Sequence, residues 1–560
     1  MLTLTGSVRA DLSDAITQLR TGADRWAGLS LAARVDLFTR TRASIGRQAE
    51  RWVGAARAAK GPVPAGEEWL SGPYALLVNL AVLAESLDAL AHGRSPAAHL
   101  VAGTAPGGRA TLKILPTNAQ QRLLFHGYRA DIWLQPGRTA EQARAEAGLG
   151  ARRTGERGGV ALVLGGGNVT SIGPLDVIYQ LVAANRTSLL KVNPTFAGLV
   201  EVYRAALAPL VSADLLRVVA GDAAVGAYLV EHPGIDHVHL TGSARTHDAV
   251  VWGTGAEAEQ RRAAGRPRVA SVTSELGGVS PTIVIPGTWS AADLRYQAEQ
   301  VATQRLHNSG HNCIATQVLV LSRDWPQRAA FLDQLRRVLA ELPRTPWYPG
   351  ARERLAHVDA TYPDEENLAG CRLIEARPEA LEEIFDTEYF APALGHTSLP
   401  GTGEAFFRRA VEFANTRLAG TLGAGVLVSP TDRRAMGSAF TEVLADLKYG
   451  GIGVNVWSAL DFAWPTAAWG AYPGNTLAAV GSGIGVVHNG YLLADTERTV
   501  AYGPFRPFPR SLRGEFALSP KPPWFLTSRS SELTAQRMTA YAEQPGWGRL
   551  MPVLPAAFRA

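Results

Sequence analysis

The sequence GVALVLGGGNVTSIGPLDVIYQLVAANRTSLLKVNP, residues 159–194, decides the fold. It opens with a short apolar run of a length typical of a buried strand, and a Gly-rich loop follows. Apolar residues then recur at helical spacing from Ser171 to Ala184, and residues 187–192 form a second strand-like run. The segment therefore predicts two strands joined through a helix, which is the repeating unit of a parallel sheet.

The same alternation of helix and strand continues downstream. The corresponding segments are 196–210, 215–221, Ala223–Glu231, 236–242 and Ser243–Val251. Short connections between alternating strands and helices predict an α/β fold with a parallel sheet covered on both faces. Ligands bind at the carboxyl ends of the strands in such sheets. The sequences GGGN, KVNP, AGD and TGS fall at those ends.

The flanking segments differ from this core in composition. The first ~100 residues predict helices, and residues 110–134 predict strands. A Gly/Arg-rich insert, Gly253–Arg268, precedes a second α/β run that extends to about Gly485. Nine of the 34 prolines lie beyond Gly503. This last segment predicts either an extended arm that wraps the protein or a loosely ordered tail.

Composition excludes several classes of protein. The chain has 560 residues, 19% charged and 46% apolar, with a net charge of +5, which is typical of a soluble globular protein with several domains. Its basic residues are interleaved with acidic ones, so no nucleic-acid partner is expected. The N-terminal residues lack the pattern of a signal peptide. Asn79, Glu85 and Asp88 interrupt the apolar segment Ala75–Ala91, so we expect no membrane span and a cytoplasmic location.

The two cysteines have different surroundings and are too few for a disulfide framework. Cys313 follows the polar, Gly-containing stretch His307–Asn312 and precedes an apolar strand. Its sulfur is therefore a candidate for contact with a ligand. Cys371 has no such context and is interpreted as a packing residue.

Other polar residues are weak signals on their own. Glu275 precedes a Gly-Gly pair and is compatible with a turn, and Asn168 follows a strand and could cap the next helix. Neither Gly-rich loop, GGG (165–167) or GSGIG (481–485), has the spacing and context of a dinucleotide fingerprint. His237 and His239 alternate on one strand without a third ligand nearby, so packing is the preferred interpretation and no metal is expected.

Together, these residues resemble motifs of the aldehyde dehydrogenase superfamily, in the family's order. The matching segments are GDAAVG (221–226), HPGID (232–236), LTGS (240–243), ELGGVSP (275–281), NSGHNC (308–313) and EYFAP (388–392). The resemblance covers roughly residues 150–490, and SGIGVVHNG (482–490) is most similar to the short-chain, class-3-like branch. It implies an aldehyde-dehydrogenase-like α/β fold: a parallel-sheet dinucleotide-binding domain, an α/β catalytic domain and a small oligomerisation hairpin.

The resemblance implies an NAD(P)-dependent oxidation of a small-molecule aldehyde to the carboxylic acid. Cys313 would be the nucleophile, which carries first a thiohemiacetal and then a thioester. The Asn168 side chain and the Cys313 backbone N–H would stabilise the oxyanion. Glu275 would be the general base that activates water to hydrolyse the thioester.

The resemblance also assigns cofactor contacts. Lys191 matches the lysine that holds the adenosine ribose, Ser243 matches the residue that meets the pyrophosphate, and Glu388 matches the carboxylate that binds the nicotinamide ribose. The predicted cofactor site also includes Gly226, Gly242 and Phe390.

Three departures from the family's pattern concern this site. Gly166 and Gly167 replace the Pro-Trp that usually precedes Asn168, which changes one wall of the substrate tunnel. Val-Asn-Pro follows Lys191, so the carboxylate that would repel a 2′-phosphate is missing, and either NAD or NADP is expected, with a slight preference for NAD. His247 replaces a glycine; a plain helix residue is the preferred interpretation over a phosphate donor.

Relatives associate by pairing a strand hairpin with a C-terminal strand, so the resemblance implies a homodimer or a dimer of dimers. Ala110–Leu134 and the region after His488 are the candidate strands, and the segment beyond Gly503 would cover a partner's active-site mouth. The predicted domains are 1–105 (helical part of the cofactor domain), 106–150 (oligomerisation hairpin), 151–275 (cofactor binding), 276–485 (catalytic) and 486–560 (oligomerisation strand and C-terminal arm).

Two alternative functions stay open. One is an acylating or reductive relative that acts on an acyl-CoA or acyl-phosphate; Glu275 argues against it, because those branches do not need a carboxylate that activates water. The other is a catalytically silent scaffold with the same fold.

Overall fold

The computed structural model describes residues 4–560. The strands in this range are β1 (Val101–Ala105), β2 (Arg109–Leu115), β3 (Arg129–Leu134), β4 (Val160–Leu164), β5 (Thr187–Lys191), β6 (Leu216–Val219), β7 (His237–Gly242), β8 (Val272–Leu276), β9 (Ser280–Val284), β10 (Thr316–Ser322), β11 (Glu366–Leu368), β12 (Cys371–Glu375), β13 (Ala393–Leu399), β14 (Gly423–Leu427), β15 (Gly451–Val454), β16 (Ala468–Trp469), β17 (Gly483–Ile484), β18 (His488–Asn489) and β19 (Thr496–Tyr502).

The α-helices are α1 (Gly6–Gly28), α2 (Leu31–Lys60), α3 (Ala65–Trp69), α4 (Ala75–Ala91), α5 (Ala119–Leu124), α6 (Ala140–Glu146), α7 (Ile172–Ala184), α8 (Val200–Ala206), α9 (Ala208–Ser212), α10 (Ala223–Glu231), α11 (Ala244–Val251), α12 (Ala256–Ala263), α13 (Ala291–Leu306), α14 (Arg328–Glu341), α15 (Ala351–Thr361), α16 (Glu383–Asp386), α17 (Gly403–Arg417), α18 (Pro430–Met436), α19 (Ser438–Asp446), α20 (Ala459–Ala463), α21 (Ser531–Glu543), α22 (Trp547–Leu550) and α23 (Val553–Ala557). A π-helical turn, Leu70–Tyr74, joins α3 to α4, and 3-10 turns lie at Pro106–Gly108, Leu149–Arg152, Pro194–Leu199, His307–Gly310 and Arg510–Leu512.

The smaller of the two main sheets has six strands in the order β17-β8-β7-β4-β5-β6. Every neighbouring pair is parallel except β17 with β8. Leu164 at the end of β4 lies opposite Lys191 of β5 and opposite Leu240 of β7. The parallel sheet predicted from the alternation of elements is confirmed. Its register brings the carboxyl ends of three strands, and the loops that follow them, to one edge.

The larger sheet has eleven strands in the order β1-β2-β3-β19-β15-β14-β9-β10-β13-β12-β11. Its central part from β19 to β12 is parallel, and the strands at both ends are antiparallel to their neighbours. The strands predicted within 110–134 are β2 and β3. Tyr502 of β19 lies opposite Arg129 of β3 on one side and opposite Val454 of β15 on the other. The strands expected to pair between protomers therefore pair within one chain.

The sequence predicts one continuous helix over 196–210, and this prediction is wrong because the structure has a 3-10 turn and two short helices there. A 3-10 turn extends to Leu199, α8 ends at Ala206 and α9 begins at Ala208. Pro209 lies in the first turn of α9, where its missing N–H is tolerated, but it cannot extend the hydrogen bonds of α8. The insert Gly253–Arg268, where the sequence predicts no element, contains α12.

Helical residues Ala65–Ala91, which include the π-helical turn, are long and apolar enough to cross a membrane by length and composition alone. Buried helices of globular proteins pass the same test. Here Leu80 and Leu83 of α4 pack in one core cluster with Trp52 of α2 and Ile178 of α7. The apolar side chains of α4 thus contribute to the core that covers the smaller sheet.

The last segment, residues 503–560, is called the C-terminal arm. It leaves the larger sheet after β19, runs through a proline-rich stretch with little regular structure and ends in α21, α22 and α23. Ala535 of α21 is fully buried in a cluster with Val53 of α2 and Trp69 of α3. The arm is therefore a packed wrap, and the alternative of a loosely ordered tail is wrong.

Candidate active site

Cys313 is placed by a tight turn at the end of α13. Asn308 and Ser309 both have φ 54°, in the left-handed region. Such a conformation costs a residue other than glycine about 1–3 kcal/mol and persists where its surroundings fix it. The turn ends α13 and leaves Cys313 half-buried, shortly before β10.

The Cys313 thiol lies against the Glu275 carboxylate. The sulfur donates to Oε1 of Glu275 at 3.0 Å, and the Trp469 indole N–H donates to Oε2 at 2.8 Å. Glu275 lies on β8 and is 1% exposed, and its burial raises its pKa to about 7. Burial and the neighbouring carboxylate raise the pKa of the Cys313 thiol well above its usual range. A protonated thiol therefore faces a carboxylate that is ready to accept its proton near neutral pH.

Asn168 lies beside this pair. Its side-chain Nδ2 donates to the His311 carbonyl at 3.0 Å, and its own carbonyl accepts from Nδ2 of Asn308 at 2.8 Å. An amide nitrogen has two hydrogens, so one stays available for a ligand. Asn168 and Cys313 line the same cavity. The structure thus brings together the predicted nucleophile, base and oxyanion donor.

His311 fixes the nucleophile loop. Its Nδ1 donates to the Phe390 carbonyl at 2.8 Å, and its Nε2 accepts from the Trp347 backbone N–H at 3.3 Å. Burial lowers the pKa of His311 to about 3, so the ring is neutral and the two bonds determine its tautomer. These bonds tie the loop to the segment that carries Phe390.

A buried network of charged residues is hydrogen-bonded to the same turn. Lys60 Nζ lies 2.8 Å from Glu68 Oε1 and 3.1 Å from the Asn308 side-chain oxygen. Glu67 Oε2 accepts the Asn308 backbone N–H at 2.6 Å. The Lys60 and Glu68 side chains are each 1% exposed. Sequence reasoning missed this network because its N-terminal members are separated from Asn308 by some 240 residues.

The residues that the sequence assigned to a cofactor lie in two places. Lys191 ends β5, and Ser243 caps α11 with Oγ accepting the Thr246 N–H at 3.2 Å. Gly242 ends β7, and Gly226 lies in α10 with open space where a Cβ would stand. These residues belong to the smaller sheet and its helices.

Glu388 and Phe390 lie on the opposite side, beside the nucleophile loop. Glu388 packs so closely on Gly277 that a Cβ there would overlap its carboxylate. Burial raises the pKa of Glu388 to about 8, against the opposing charge of Arg305. Glu388 Oε1 is buried without a hydrogen-bond partner among residues 4–560. That oxygen can accept a hydrogen bond from a ligand.

His247 lies inside the protein rather than at the edge of the site. It is 0% exposed, and burial lowers its pKa. The interpretation of His247 as a phosphate donor is therefore wrong, because its ring has no access to a ligand.

The cavity above Cys313 has a volume of about 120 Å³. Its walls are mostly aromatic and aliphatic: the aromatic members are Tyr74, Phe125, Trp457, Phe462, Trp464, Trp469 and Trp524. Glu275, Asn168 and Asn312 are among its few polar members. The arrangement suits a ligand with a reactive polar end and an apolar body.

Comparison with known proteins finds a family match for part of the chain. Residues 170–346 match the model of the aldehyde dehydrogenase family. "Putative aldehyde dehydrogenase AldX" of Bacillus subtilis (strain 168) is 27% identical over 176 residues, which is 31% of this chain. The match spans 36% of that relative's length.

Solved structures share the fold. The C291A mutant of aldehyde dehydrogenase C from Pseudomonas syringae, crystallised with NAD+ and octanal, is 18% identical with a TM-score of 0.59, and 88% of each chain is covered. The NADP-dependent glyceraldehyde-3-phosphate dehydrogenase of Bacillus halodurans C-125, crystallised with NADP, is 16% identical with a TM-score of 0.58, covering 88% of this chain and 91% of that one. Residues 170–346 are thus similar to the aldehyde dehydrogenase family, and the chain shares the fold of these solved aldehyde dehydrogenase structures.

Proposed function

We propose that the chain oxidises an aldehyde to the carboxylic acid with NAD or NADP. The observation that carries this proposal is the 3.0 Å contact between the Cys313 thiol and the Glu275 carboxylate, beside Asn168 in an apolar cavity. A thiol with an adjacent base is the arrangement that activates a cysteine nucleophile. A structural cysteine would have no need of such a base.

Glu275 takes the proton of Cys313, and the thiolate adds to the aldehyde carbon. A C–S bond forms, and the π electrons of the carbonyl move to its oxygen. The free hydrogen of the Asn168 amide and the Cys313 N–H stabilise that oxyanion; removal of one such donor typically costs about 10²–10³ in rate. When bound, the oxidised nicotinamide supplies the acceptor for the hydride.

Loss of the hydride leaves an acyl group on Cys313 as a thioester. Glu275 releases the proton that it took from Cys313 to solvent, and the carboxylate then takes a proton from water while the water oxygen attacks the acyl carbon. The C–S bond breaks, the acid leaves and the thiol regains a proton. The overall balance is aldehyde, NAD(P)+ and water to acid, NAD(P)H and a proton.

The residues present fit a dinucleotide. Lys191 and Ser243 would hold the adenosine ribose and the pyrophosphate, at the edge of the sheet where parallel strands end. Glu388, with its unpartnered buried oxygen, would accept a hydroxyl of the nicotinamide ribose. Gly226 and Gly242 leave room for the backbone to approach the ligand, and Phe390 would flank the nicotinamide.

We propose that both NAD and NADP are accepted, with a slight preference for NAD. Asn193, two residues after Lys191, has a side-chain oxygen that already accepts from Thr195 N at 3.1 Å and Oγ1 at 2.9 Å. A neutral amide at this place does not repel a 2′-phosphate. The ratio of kcat/KM with the two cofactors measures the preference.

The test is the reduction of NAD+ and of NADP+, followed by absorbance, with a panel of aldehydes. Wild type and Cys371→Ala should both be active, because Cys371 is buried in a core cluster outside the site. Cys313→Ala should be inactive, and full activity in this variant would contradict the mechanism.

Two further measurements separate the alternative functions. Acyl-CoA, rather than free acid, as the product in the presence of CoA would show an acylating enzyme. Labelling of Cys313 no faster than that of Cys371 would show a silent scaffold.

A further inference from the structure

The C-terminal arm contributes part of the cavity wall above Cys313. Trp524 and Met538, both in the arm, line the cavity together with residues from the N-terminal helices and from α20. The arm belongs to the same chain as Cys313. The sequence predicts that it covers the active-site mouth of a partner; within the single chain it lines the cavity of its own active site.

The part of the C-terminal arm around Trp524 is fixed to α13, the helix that leads into the nucleophile turn. The Phe525 ring stacks on Tyr296 with centroids 5.1 Å apart. Thr527 donates to Glu299 Oε2 at 3.0 Å, and Lys521 pairs with the same oxygen at 2.7 Å. Residues 521–527, which contain Trp524, are therefore held against the catalytic half of the molecule.

The part of the C-terminal arm that forms α21 is fixed to the N-terminal helices. The Arg42 guanidinium of α2 donates to the carbonyl oxygens of Ala542 and Glu543 at 3.0 and 2.9 Å. A Cβ at Gly66 would overlap Ser531, so the start of α21 rests directly on α3. Met538 is carried by α21 and is 7% exposed. The arm therefore bridges two parts of the chain and presents two apolar side chains to the cavity between them.

The chemistry of the walls defines what the cavity accepts. Of its lining residues, Glu275 is the one carboxylate, and no Lys or Arg side chain from residues 4–560 contributes to the wall. Burial lowers the pKa of His307, another lining residue, which therefore stays neutral. An acidic substituent would have to be desolvated here without a partner, which is costly. A cationic substituent would find one carboxylate, Glu275, which lies at the reactive end beside Cys313.

The volume indicates the size of the ligand body that the cavity holds. The cavity of about 120 Å³ is of the same order as the ~150 Å³ apolar cavity that holds benzene in a well-studied engineered protein. A phenyl ring or a short alkyl chain fits this space.

We propose that the C-terminal arm determines substrate choice: Trp524 and Met538 select aldehydes with an uncharged apolar body of about phenyl size. This inference rests on the proposed function, because it concerns the substrate of the same site. The arm acts within one chain and completes the pocket without a partner.

The experiment compares kcat/KM for phenylacetaldehyde, hexanal, dodecanal and succinic semialdehyde. Wild type should prefer phenylacetaldehyde and hexanal over succinic semialdehyde by at least about 100-fold, because the charged end lacks a partner. Trp524→Ala and Met538→Ala widen the cavity and should shift the dodecanal-to-hexanal ratio upward by about tenfold or more. The Met538→Leu variant should have the same dodecanal-to-hexanal ratio as wild type.

Met551→Ala is the matched control, because Met551 belongs to the same arm but is 54% exposed and does not line the cavity. It should keep the wild-type ratio. An unchanged ratio in both Trp524→Ala and Met538→Ala, with folding verified by their melting temperatures, overturns the inference. So does equal use of succinic semialdehyde and phenylacetaldehyde by wild type.

A binding measurement separates this inference from the proposed function. The unreactive amides phenylacetamide and succinamate are titrated into the Cys313→Ala variant, with tryptophan fluorescence as the readout. Binding of phenylacetamide but not succinamate, weakened at least about tenfold by Met538→Ala, supports the inference even if no aldehyde is oxidised. Equal binding of both amides overturns it even if oxidation is observed.

Discussion

Near pH 7 the Glu275 carboxylate is at the midpoint of its titration, because burial raises its pKa to about 7. The protonated acid cannot accept the Cys313 proton, so kcat/KM should fall as the pH decreases through about 7 and level off above it. Glu275→Gln should lower kcat/KM by about 10²–10⁴ and abolish this dependence. Initial rates measured across about two pH units centred on this pKa test both expectations. A pH profile that is the same in Glu275→Gln as in wild type would rule out Glu275 as the base.

Breaking the buried pair of Lys60 and Glu68 should strongly destabilise the fold. Removal of one partner leaves a buried charge without compensation, so Lys60→Met should lower the free energy of unfolding by about 3–5 kcal/mol. The exposed pair of Arg408 and Glu404, with side chains 48% and 46% exposed, is the control. Arg408→Met should cost less than about 1 kcal/mol. Urea denaturation compares the two, and equal losses would show that burial of the pair has no effect.

Residues that share a short motif can be predicted from the sequence, whereas residues that act across the chain cannot. Cys313 and Glu275 are identifiable because each lies in a recognisable local motif, and their 3.0 Å contact agrees with the roles proposed for them. Trp469, which donates to Glu275, has no motif and is separated from it by 194 residues. Such a contact depends on how two sheets pack against each other, which a local sequence pattern does not predict.

At the scale of elements, α2 contains two glycines in contrasting surroundings. A Cβ added at Gly54 would have no neighbouring atom within 4 Å, whereas a Cβ at Gly46 would overlap the Glu543 side chain at the end of α21. Alanine favours a helix over glycine by about 0.8–1 kcal/mol. Gly54→Ala should therefore raise the free energy of unfolding by about that amount, and Gly46→Ala should raise it less, because the Glu543 side chain has to move. Thermal and urea unfolding provide the comparison, and an equal gain in both variants would show that α21 does not pack closely there.

The elements show the same limits of prediction. The strands β4 and β5 are predictable because fully buried parallel strands have continuous apolar sequences. The break between α8 and α9 escapes the prediction although Pro209 marks it, because the apolar spacing continues across the proline. The packing of α21 on the N-terminal helices is beyond prediction, since it joins residues about 500 positions apart.

At the scale of the whole molecule, the larger sheet is continuous within one chain. The β19 strand lies between β3 and β15, so neither of its edges is free for a partner strand. The cavity is likewise lined by residues of one chain, including Trp524 and Met538 of the arm. The homodimer stays a prediction, and the strands that the sequence assigns to it are already paired within the single chain.

The catalytic unit should therefore be the single chain. The specific activity per chain should stay constant on dilution from micromolar to nanomolar concentration, whatever oligomer sedimentation velocity detects at the upper end. Since Cys313, Glu275 and Asn168 are all provided by one chain and the arm closes the cavity over them, dissociation removes no catalytic group. A loss of specific activity that follows dissociation of an oligomer would mean that a partner contributes to the site, and the arm would then be an incomplete cover.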